Sequence, residues 1–462
     1  MRAPRRLLCG AVLLAVPLVL AAPLPAAPAL SPAPAASPAL DLGTAIEEME
    51  ARALEWLAGQ MVPNATVPAP ESTRRRLVLS YRVPPDDPVY RWVHGRSALY
   101  DDALAAIAFT LAGRWREAEY LLGAIARLAG PDGRLWFAYN TQNDWPSDAD
   151  NEGAIARTGA TAWAGYALVF YIQVRSLENP GFARTDPVAA QYLKAARSIA
   201  RWVLARQVPA GSDPRAELVS GGDGSAVVAL PEGAAAPTEV ASGAPVQWVS
   251  TEHNIDAWFF LRDLGRLTGE ARHSESAESI AAKLLGLWSE NDGQFIQGIH
   301  EDRTPDTALP LDGATWGAIF LVSRGREAQA SRCLERLESR FGSRSGAARG
   351  HRPYGGEPVY TDPRVNSFYY PRGGGTWADL PLVWSEGSLG AAAACARAGR
   401  AAEASRIIEA LAPMAVDGGL RYATMPVAYQ FSEYPSTAGT AWLVIAAEVL
   451  RGTAAGGLFW GK

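Results

Sequence analysis

The chain has 462 residues, of which 48% are hydrophobic and 20% charged, the balance of an ordinary globular protein with a sizeable core. A formal net charge of −5 and a pI near 5.7 argue against a nucleic-acid-binding protein, which would carry a basic surface. The fifteen Trp and fifteen Tyr residues fit either a large aromatic core or rings available for stacking on a ligand.

The first residues have the pattern of a secretory signal peptide. Three arginines precede the apolar run 7–22, and small residues and prolines follow it. We expect a signal peptide over 1–22, a disordered Ala/Pro-rich tether over 23–40 and one folded domain over 41–462. The protein is therefore expected to be exported, and a retained signal would tether it to a membrane. The mature chain is otherwise expected to lack a membrane span and to be a monomer.

Cysteine and histidine usage predicts no metal or cofactor site. Only Cys333 and Cys395 follow the signal, so neither a disulfide framework nor a cysteine metal site is expected. The five histidines are not at ligand spacing, and no HExxH, phosphate-binding glycine loop or GxSxG motif occurs. His273, on a predicted surface helix, is expected to be solvated.

After an amphipathic helix predicted over 44–58, a structural unit repeats along the chain. The first copy is the clearest. Residues 100–112 form a helix that is apolar nearly all round, which implies burial, and Gly113 ends it. An amphipathic helix over 115–128 and a short aromatic strand over 134–139 complete the unit.

Five further copies follow with loops of variable length. Their apolar helices are predicted to begin near Thr161, Glu252, Ala314, Glu386 and Thr437. Amphipathic helices are predicted to return over 187–207, 273–288, 326–341 and 402–412. The sixth copy lacks such a partner, and the helix over 44–58 could supply it.

Six apolar and six amphipathic helices predict an all-α (α/α)6 toroid, with six buried helices inside six outer ones and short β-strands in the loops. An open helical solenoid is the structural alternative. In a closed ring whose inner helices run the same way, all inner N-termini would share one end.

The segment 247–263 carries the densest set of reactive groups. Ser250 or Thr251 can cap a helix, and Glu252 and Asp256 then lie on one face, one turn apart. His253 and Asn254 lie between them. A lone acid in a first helical turn is an ordinary residue favoured by the helix dipole.

Acids and aromatic residues also occur at the other predicted inner N-termini. They are Tyr100, Asp101, Asp102, Trp163, Asp312, Trp316, Trp384, Glu386 and Glu433. Together they predict a concave, polar and aromatic ligand site at one end of the ring.

The sequence resembles the six-hairpin glycosidase superfamily over about residues 44–452. The resemblance rests on the hairpin pattern and on three stretches, GRSALYDDALAAIAFTLAGRWREAEYLL, STEHNIDAW and VWSEGS. It implies an (α/α)6 toroid with its site at the mouth formed by the inner-helix N-termini. It also implies a carbohydrate substrate, since many members are glycoside hydrolases and others are epimerases or polysaccharide lyases.

Glycoside hydrolysis requires one carboxylic acid as proton donor and a second carboxylate as base or nucleophile. We expect Glu252 to be the donor, and Asp101, Asp102 or Glu386 to be the second carboxylate. Asp256 would orient His253 or a sugar hydroxyl. The remaining expected substrate-binding residues are Trp163, Trp316 and Trp384, which would stack on sugars, with Tyr100, His253, Asn254 and Glu433.

Two alternatives remain open at the level of sequence. A polysaccharide lyase or sugar epimerase on the same fold would rely on His94, His253, Tyr100 or Arg352 rather than on acids. A glycan-binding protein without catalysis would keep the ring and bind an oligosaccharide without turnover.

Overall fold

The computed structural model describes residues 43–64, 67, 76–147, 154–229, 238–357, 375–427 and 432–462. The predicted signal peptide and tether lie outside these residues. Within the described part of the chain, no helix combines the length and apolar character needed to cross a membrane.

Six apolar helices form an inner ring. Their bounds are Leu99–Leu111, Thr158–Glu178, Thr251–Thr268, Leu311–Ser323, Ser385–Arg397 and Thr437–Arg451. Each packs against the next, and the sixth packs against the first, so the ring is closed. Burial on all sides explains the composition: every residue of Leu99–Leu111 except Tyr100 is buried. The prediction of an (α/α)6 toroid is confirmed.

Amphipathic helices form the outer ring. They span Thr44–Gln60, Trp115–Leu128, Pro187–Leu204, Ala271–Leu284, Glu327–Glu335 continued by Leu337–Phe341, and Ala401–Ala410. The helix Thr44–Gln60 packs against Thr437–Arg451, which had no partner of its own downstream. Arg451 fastens the two together, since it forms ion pairs with Glu50 of the outer helix and Glu448 of the inner one.

The remaining elements within the described residues are short. Three helices span Tyr90–Val93, Phe182–Thr185 and Ala454–Leu458, and 3-10 turns span Leu285–Leu287, Trp377–Asp379 and Ala412–Met414. Strands of two to four residues form five antiparallel pairs. These pairs are Arg96–Ala98 with Ala138–Asn140, Trp288–Ser289 with Gln294–Phe295, Gly342–Ser345 with Ala348–His351, Val227–Ala229 with Thr238–Ala241, and Ala415–Val416 with Gly419–Arg421. The strand Pro435–Ser436 extends the last pair to a three-stranded sheet. A second three-stranded sheet consists of Ala156–Arg157, Gly222–Asp223 and Pro245–Val246. A third consists of Val249–Ser250, Gly298–Ile299 and Pro305–Asp306.

Each inner helix is entered directly from paired, extended backbone. The pairs at the six entrances are Ala98 with Ala138, Arg157 with Gly222, Ser250 with Gly298, Pro310 with Tyr354, Trp384 with His351 and Ala423, and Ser436 with Leu420. Backbone hydrogen bonds therefore fix the start of every inner helix at the same end of the ring.

Some predicted boundaries shift for identifiable reasons. The second and fourth inner helices begin at Thr158 and Leu311, three residues before the predicted starts. Each contains a glycine in its first turn, Gly159 or Gly313, and glycine is a weak helix former that obscures a start. The outer helix predicted over 326–341 breaks at Arg336 rather than running unbroken.

The expectation that His273 is solvated was wrong. Its side chain is fully buried, because it falls on the same helical stripe as Ala277, Ile280 and Leu284. Burial lowers its pKa, so the imidazole is neutral.

Candidate active site

At the second residue of the inner helices, four of the six positions carry a polar side chain. The six positions are Tyr100, Gly159, Glu252, Asp312, Glu386 and Ala438. Because all six helices start at one end of the ring, equivalent positions lie at the same depth. We call this set the acid layer.

The polar side chains of the acid layer remain partly accessible to solvent. Tyr100, Glu252 and Asp312 are each partly exposed, whereas almost all residues that follow them in their helices are buried. Glu386 retains 6% exposure. A partly exposed side chain at the start of an otherwise buried helix must face a cavity, so these residues line the mouth of the ring.

Glu386 is held by hydrogen-bond donors. Tyr100 Oη donates to its Oε1 atom at 2.7 Å, and Tyr422 also donates to the carboxylate. Burial raises the pKa of Glu386 to about 7, and the side chains of Tyr100, Tyr422 and Trp384 oppose the rise. The donors thus favour the ionised form of Glu386.

The pKa values of Glu252 and Asp312 are also raised by burial, but their surroundings differ from those of Glu386. Burial, and then the charge of Glu386, raise the pKa of Glu252 to about 7. Burial, and then the charges of Glu252 and Glu386, raise the pKa of Asp312 well above its ordinary value. When Glu386 is ionised its charge therefore helps the other two acids to keep their protons.

Asp101 and Asp102 are neighbours in sequence with different surroundings. Asp102 is fully buried and accepts 2.8 Å hydrogen bonds from Val78 N and Ser97 Oγ, which places it outside the cavity as an anchor for the preceding loop. Asp101 lies close enough to Glu386 for that charge to contribute to its raised pKa of about 7, after the larger effect of burial.

Asn254 and His253, which follow Glu252 in the helix, have different surroundings. Asn254 is fully buried and joins Ser250 O to the backbone N and O of Val219, so it anchors a loop rather than facing the cavity. His253 lies against Trp248, with ring centroids 5.3 Å apart, and burial lowers its pKa to about 3, which leaves it neutral.

The His253 ring also occupies the space that a side chain at Gly159 would need. A Cβ atom there would lie 2.4 Å from His253 Cδ2. The small residue at this position of the acid layer is thus required by its neighbour.

Asp256 lies one helical turn below Glu252 and is 2% exposed. Burial, followed by the charges of Glu252 and Asp312, raises its pKa well above the ordinary value. It is a buried acid behind the cavity surface.

A second layer lies at the sixth residue of the inner helices, directly below the acid layer. Its members are Leu104, Trp163, Asp256, Trp316, Gly390 and Trp442. The three indole rings lie 5.7 to 5.9 Å apart between centroids. We call them the tryptophan layer.

The tryptophan layer is buried rather than open to a ligand. Trp163 and Trp316 are 2% and 3% exposed. They therefore support the acid layer from below and do not offer a free ring face for a sugar. Trp384 is the residue before the fifth inner helix, 7% exposed, and packs edge-on against Tyr422.

Glu433 is exposed and borders a groove of about 1480 Å³ along the outer helix Thr44–Gln60, whose lining does not include the other expected site residues. The structure brings together Tyr100, Asp101, Glu252 and Glu386 at the mouth.

Several residues of the site were not assigned from sequence. Asp312 is expected to line the ligand site but has no predicted part in catalysis, and no role is predicted for Tyr422, Trp442 or Tyr81. Tyr81 lies close enough for the charges of Asp101 and Glu386 to add to the rise that burial causes in its pKa. The signal that could have found Asp312 and Trp442 is position, because they occupy the same places in their helices as Glu252 and Trp163. Among the described residues, no group of three or more His, Cys, Asp or Glu side chains is arranged to hold a metal ion.

No protein-family model matches the chain, and no curated protein matches it in sequence. Solved structures do match in fold. An uncharacterised conserved protein from Thermus thermophilus is 18% identical, with a TM-score of 0.55 over 87% of this chain and 99% of that one.

A D-mannose isomerase is 11% identical, with a TM-score of 0.56 over 90% of this chain and 99% of that one. A family 76 glycoside hydrolase from a bovine Bacteroides thetaiotaomicron strain is 10% identical, with a TM-score of 0.56 over 89% and 78% of the two chains. The chain therefore shares its fold with these three structures.

Proposed function

We propose that this protein is a glycoside hydrolase that acts on an oligosaccharide or polysaccharide by carboxylate acid/base catalysis. The observation that carries the proposal is the pair of acids Glu252 and Glu386 at the mouth, whose pKa values are both raised to about 7 but whose surroundings differ. Hydrogen-bond donors surround one of these buried acids, whereas the charge of that acid favours the protonated form of the other. Environments that differ in this way separate a general acid from a carboxylate base.

In the proposed reaction Glu252 donates its proton to the oxygen of the scissile glycosidic bond. Ionised Glu386 then acts either as the base that activates water or as the nucleophile. Tyr100 keeps its own proton, because burial and the charge of Glu386 raise its pKa well above the ordinary value. It thus remains a donor that orients Glu386.

The fold supports a carbohydrate substrate, since the matching structures include a glycoside hydrolase and a sugar isomerase. It does not by itself distinguish these activities. Isomerase, epimerase or lyase chemistry based on histidine and arginine is supported less well by the site.

The side chains that such chemistry would need are dispersed. His94 stacks on Tyr90, with centroids 4.4 Å apart, and Arg352 donates hydrogen bonds to the backbone oxygens of Gly342 and Ala378. Only His253 and Tyr100 of that alternative set lie at the mouth.

The proposal is tested by incubating the purified protein with a panel of polysaccharides and measuring new reducing ends. Turnover by the wild type, lost in Glu252→Gln and in Glu386→Gln, is the expected result. Glu335→Gln, an exposed change on an outer helix, is the matched control. Unsaturated products with ultraviolet absorbance would establish a lyase instead, and interconversion of free monosaccharides an isomerase. Binding of an oligosaccharide without turnover would contradict any catalytic proposal.

We further propose that the protein is exported, on the basis of the arginines and apolar run at 1–22. Sequencing the N-terminus of protein recovered outside the cytoplasm tests this. A mature chain that starts after residue 22 is expected, and retention of the whole run in the cytoplasmic fraction would contradict it.

A further inference from the structure

The segment 454–462 enters the ring from the end opposite the acid layer. Its Phe459 and Trp460 side chains are 0% and 1% exposed. They are held by groups in the later parts of the inner helices. Arg397, the last residue of the fifth inner helix, donates to the backbone oxygen of Phe459, and Ser323, the last of the fourth, donates to that of Trp460 at 3.1 Å.

Further contacts fix the same segment. Trp460 N donates to Tyr166 Oη at 2.9 Å, and Arg262 donates to Gly461 O at 2.8 Å. Anchors from four inner helices therefore converge on three consecutive residues. We call the segment 454–462 the plug.

The backbone of the plug is strained at its centre. Trp460 has a φ angle of 47°, in the left-handed region that a bulky residue other than glycine rarely adopts. Such a conformation persists only where surrounding contacts impose it, and it often occurs where a side chain must be placed for function.

The strained residue places its ring directly beneath the tryptophan layer. The Trp460 ring stacks on Phe259 at 4.6 Å and lies 4.8 Å from Trp163 and 5.3 Å from Trp316 between centroids. It also meets Trp442 edge-on at 6.4 Å. The floor of the mouth is thus three aromatic rings supported by a fourth.

Two of these rings contact the same residue of the acid layer. Trp442 Nε1 donates to Tyr100 Oη at 2.8 Å, and the Trp163 ring meets the Tyr100 ring edge-on at 5.4 Å. Tyr100 in turn donates to Glu386. A continuous series of contacts therefore runs from Trp460 to a carboxylate of the site.

We propose that Trp460 is a positioning residue, which acts through Trp163 and Trp442 to hold Tyr100 in hydrogen-bonding position for Glu386. Its role in turnover rests on the proposed function. The contact series itself does not, and the two can be tested apart.

The experiment is a double-mutant cycle between Trp460→Ala and Tyr100→Phe. On a glycan that the wild type cleaves, Trp460→Ala is expected to lower kcat roughly 10- to 100-fold with a smaller change in KM, as small displacements of reacting groups do. In the Tyr100→Phe background the same change should cost much less, because the residue it acts through has already lost its hydroxyl. Trp460→Phe, which keeps a ring in place, should retain more of the activity than Trp460→Ala.

Trp202→Ala is the matched control. Trp202 is a buried indole, 5% exposed, but it lies on the outer helix Pro187–Leu204 with Arg206 over its ring, away from the tryptophan layer. An equal loss of kcat in Trp202→Ala, or additive effects of Trp460→Ala and Tyr100→Phe on kcat, would overturn the proposal. If Trp460→Ala does not fold, the same cycle is run with Trp460→Phe.

If the wild type cleaves no glycan, the proposed function fails. The positioning role is then decided by the urea unfolding midpoints of the wild type, Trp460→Ala, Tyr100→Phe and the double variant. Non-additive midpoints are then expected from contact between the two sites, and additive midpoints would overturn the inference.

Discussion

Tyr100 Oη donates a 2.7 Å hydrogen bond to Glu386 Oε1, although 286 positions separate the two residues in the chain. They start the first and fifth inner helices, and only the sixth helix, with its small Ala438, lies between them in the ring. Because this contact forms only when the ring is closed, the hydrogen bond depends on the fold as well as on the local geometry of the site.

Replacing Tyr100 with Phe should change the pH dependence of activity. The lost hydrogen bond favoured the ionised form of Glu386, so its pKa should rise in Tyr100→Phe. If Glu386 must be ionised for turnover, the acidic limb of the profile of kcat against pH moves to higher pH. A profile that keeps its acidic limb would contradict this assignment of Glu386.

Tyr192→Phe is the control for that experiment. Its Oη also donates a hydrogen bond, to Glu119 O at 3.2 Å, but it lies on an outer helix away from the mouth. It should leave the profile unchanged.

Glu252→Gln should lower kcat by roughly 10²- to 10⁴-fold on natural glycans, the usual contribution of a general acid. An aryl glycoside with an acidic phenol as leaving group needs little protonation, so its cleavage should be far less affected. The measurement is the ratio of the two losses. Equal losses on both substrates would mean that Glu252 does not serve as the proton donor.

Raised pKa values at the mouth predict a stability that depends on pH. A carboxyl group whose pKa is higher in the folded state binds its proton more tightly there. The pKa of Glu252 rises from 4.5 to about 7 on folding, so its contribution to stability is complete below pH 4.5 and is lost as the pH rises to about 7. Between pH 4.5 and 7, the free energy of unfolding of the wild type should therefore decrease as the pH rises. In Glu252→Gln this decrease should be smaller by roughly 1–3 kcal/mol.

Urea unfolding of both proteins at several pH values measures this difference. The comparison removes the contributions of groups that do not interact with Glu252. Parallel curves for the two proteins would show that Glu252 is not perturbed by folding.

Asp101 and Asp102 should respond oppositely to replacement by Asn. Asp102→Asn replaces a carboxylate that accepts from both Val78 N and Ser97 Oγ with an amide that has one accepting oxygen, and it should lower the free energy of unfolding by about 1–3 kcal/mol, with little change in the kcat of the folded protein. Asp101→Asn removes an acid beside Glu386 and should instead lower kcat. Urea unfolding and steady-state kinetics on both variants distinguish the roles, and the reverse pattern would exchange them.

The sequence predicted the ring because burial on all sides leaves a clear mark in composition. The helix Leu99–Leu111 is an example, where Ala, Leu, Ile and Phe occupy nearly every position. The start of the helix that carries Glu252 was also predictable, because this helix has a serine cap and an apolar continuation.

The pairing of side chains across the ring could not be predicted. Nothing local to Tyr100 indicates that its hydroxyl meets Glu386, since that contact depends on how six helices close around one axis. Asp102 and Asn254 misled for a related reason, because a polar side chain that anchors a loop and one that faces a ligand have the same local sequence signature. Trp163 and Trp316 were correctly placed on inner helices, yet their depth below the mouth depends on helix starts that Gly159 and Gly313 concealed.

The paired backbone at each helix entrance has a consequence for how this architecture can be altered. Hydrogen bonds such as those between Ser250 and Gly298 fix the first turn of a helix independently of the connections that lead away from it. The parts of those connections beyond the paired residues can therefore be lengthened, shortened or grafted from another toroid while the carboxylates stay in register. On the proposed function, ligand preference would then be separable from reaction chemistry, and exchanging these loops would be the direct route to a new specificity.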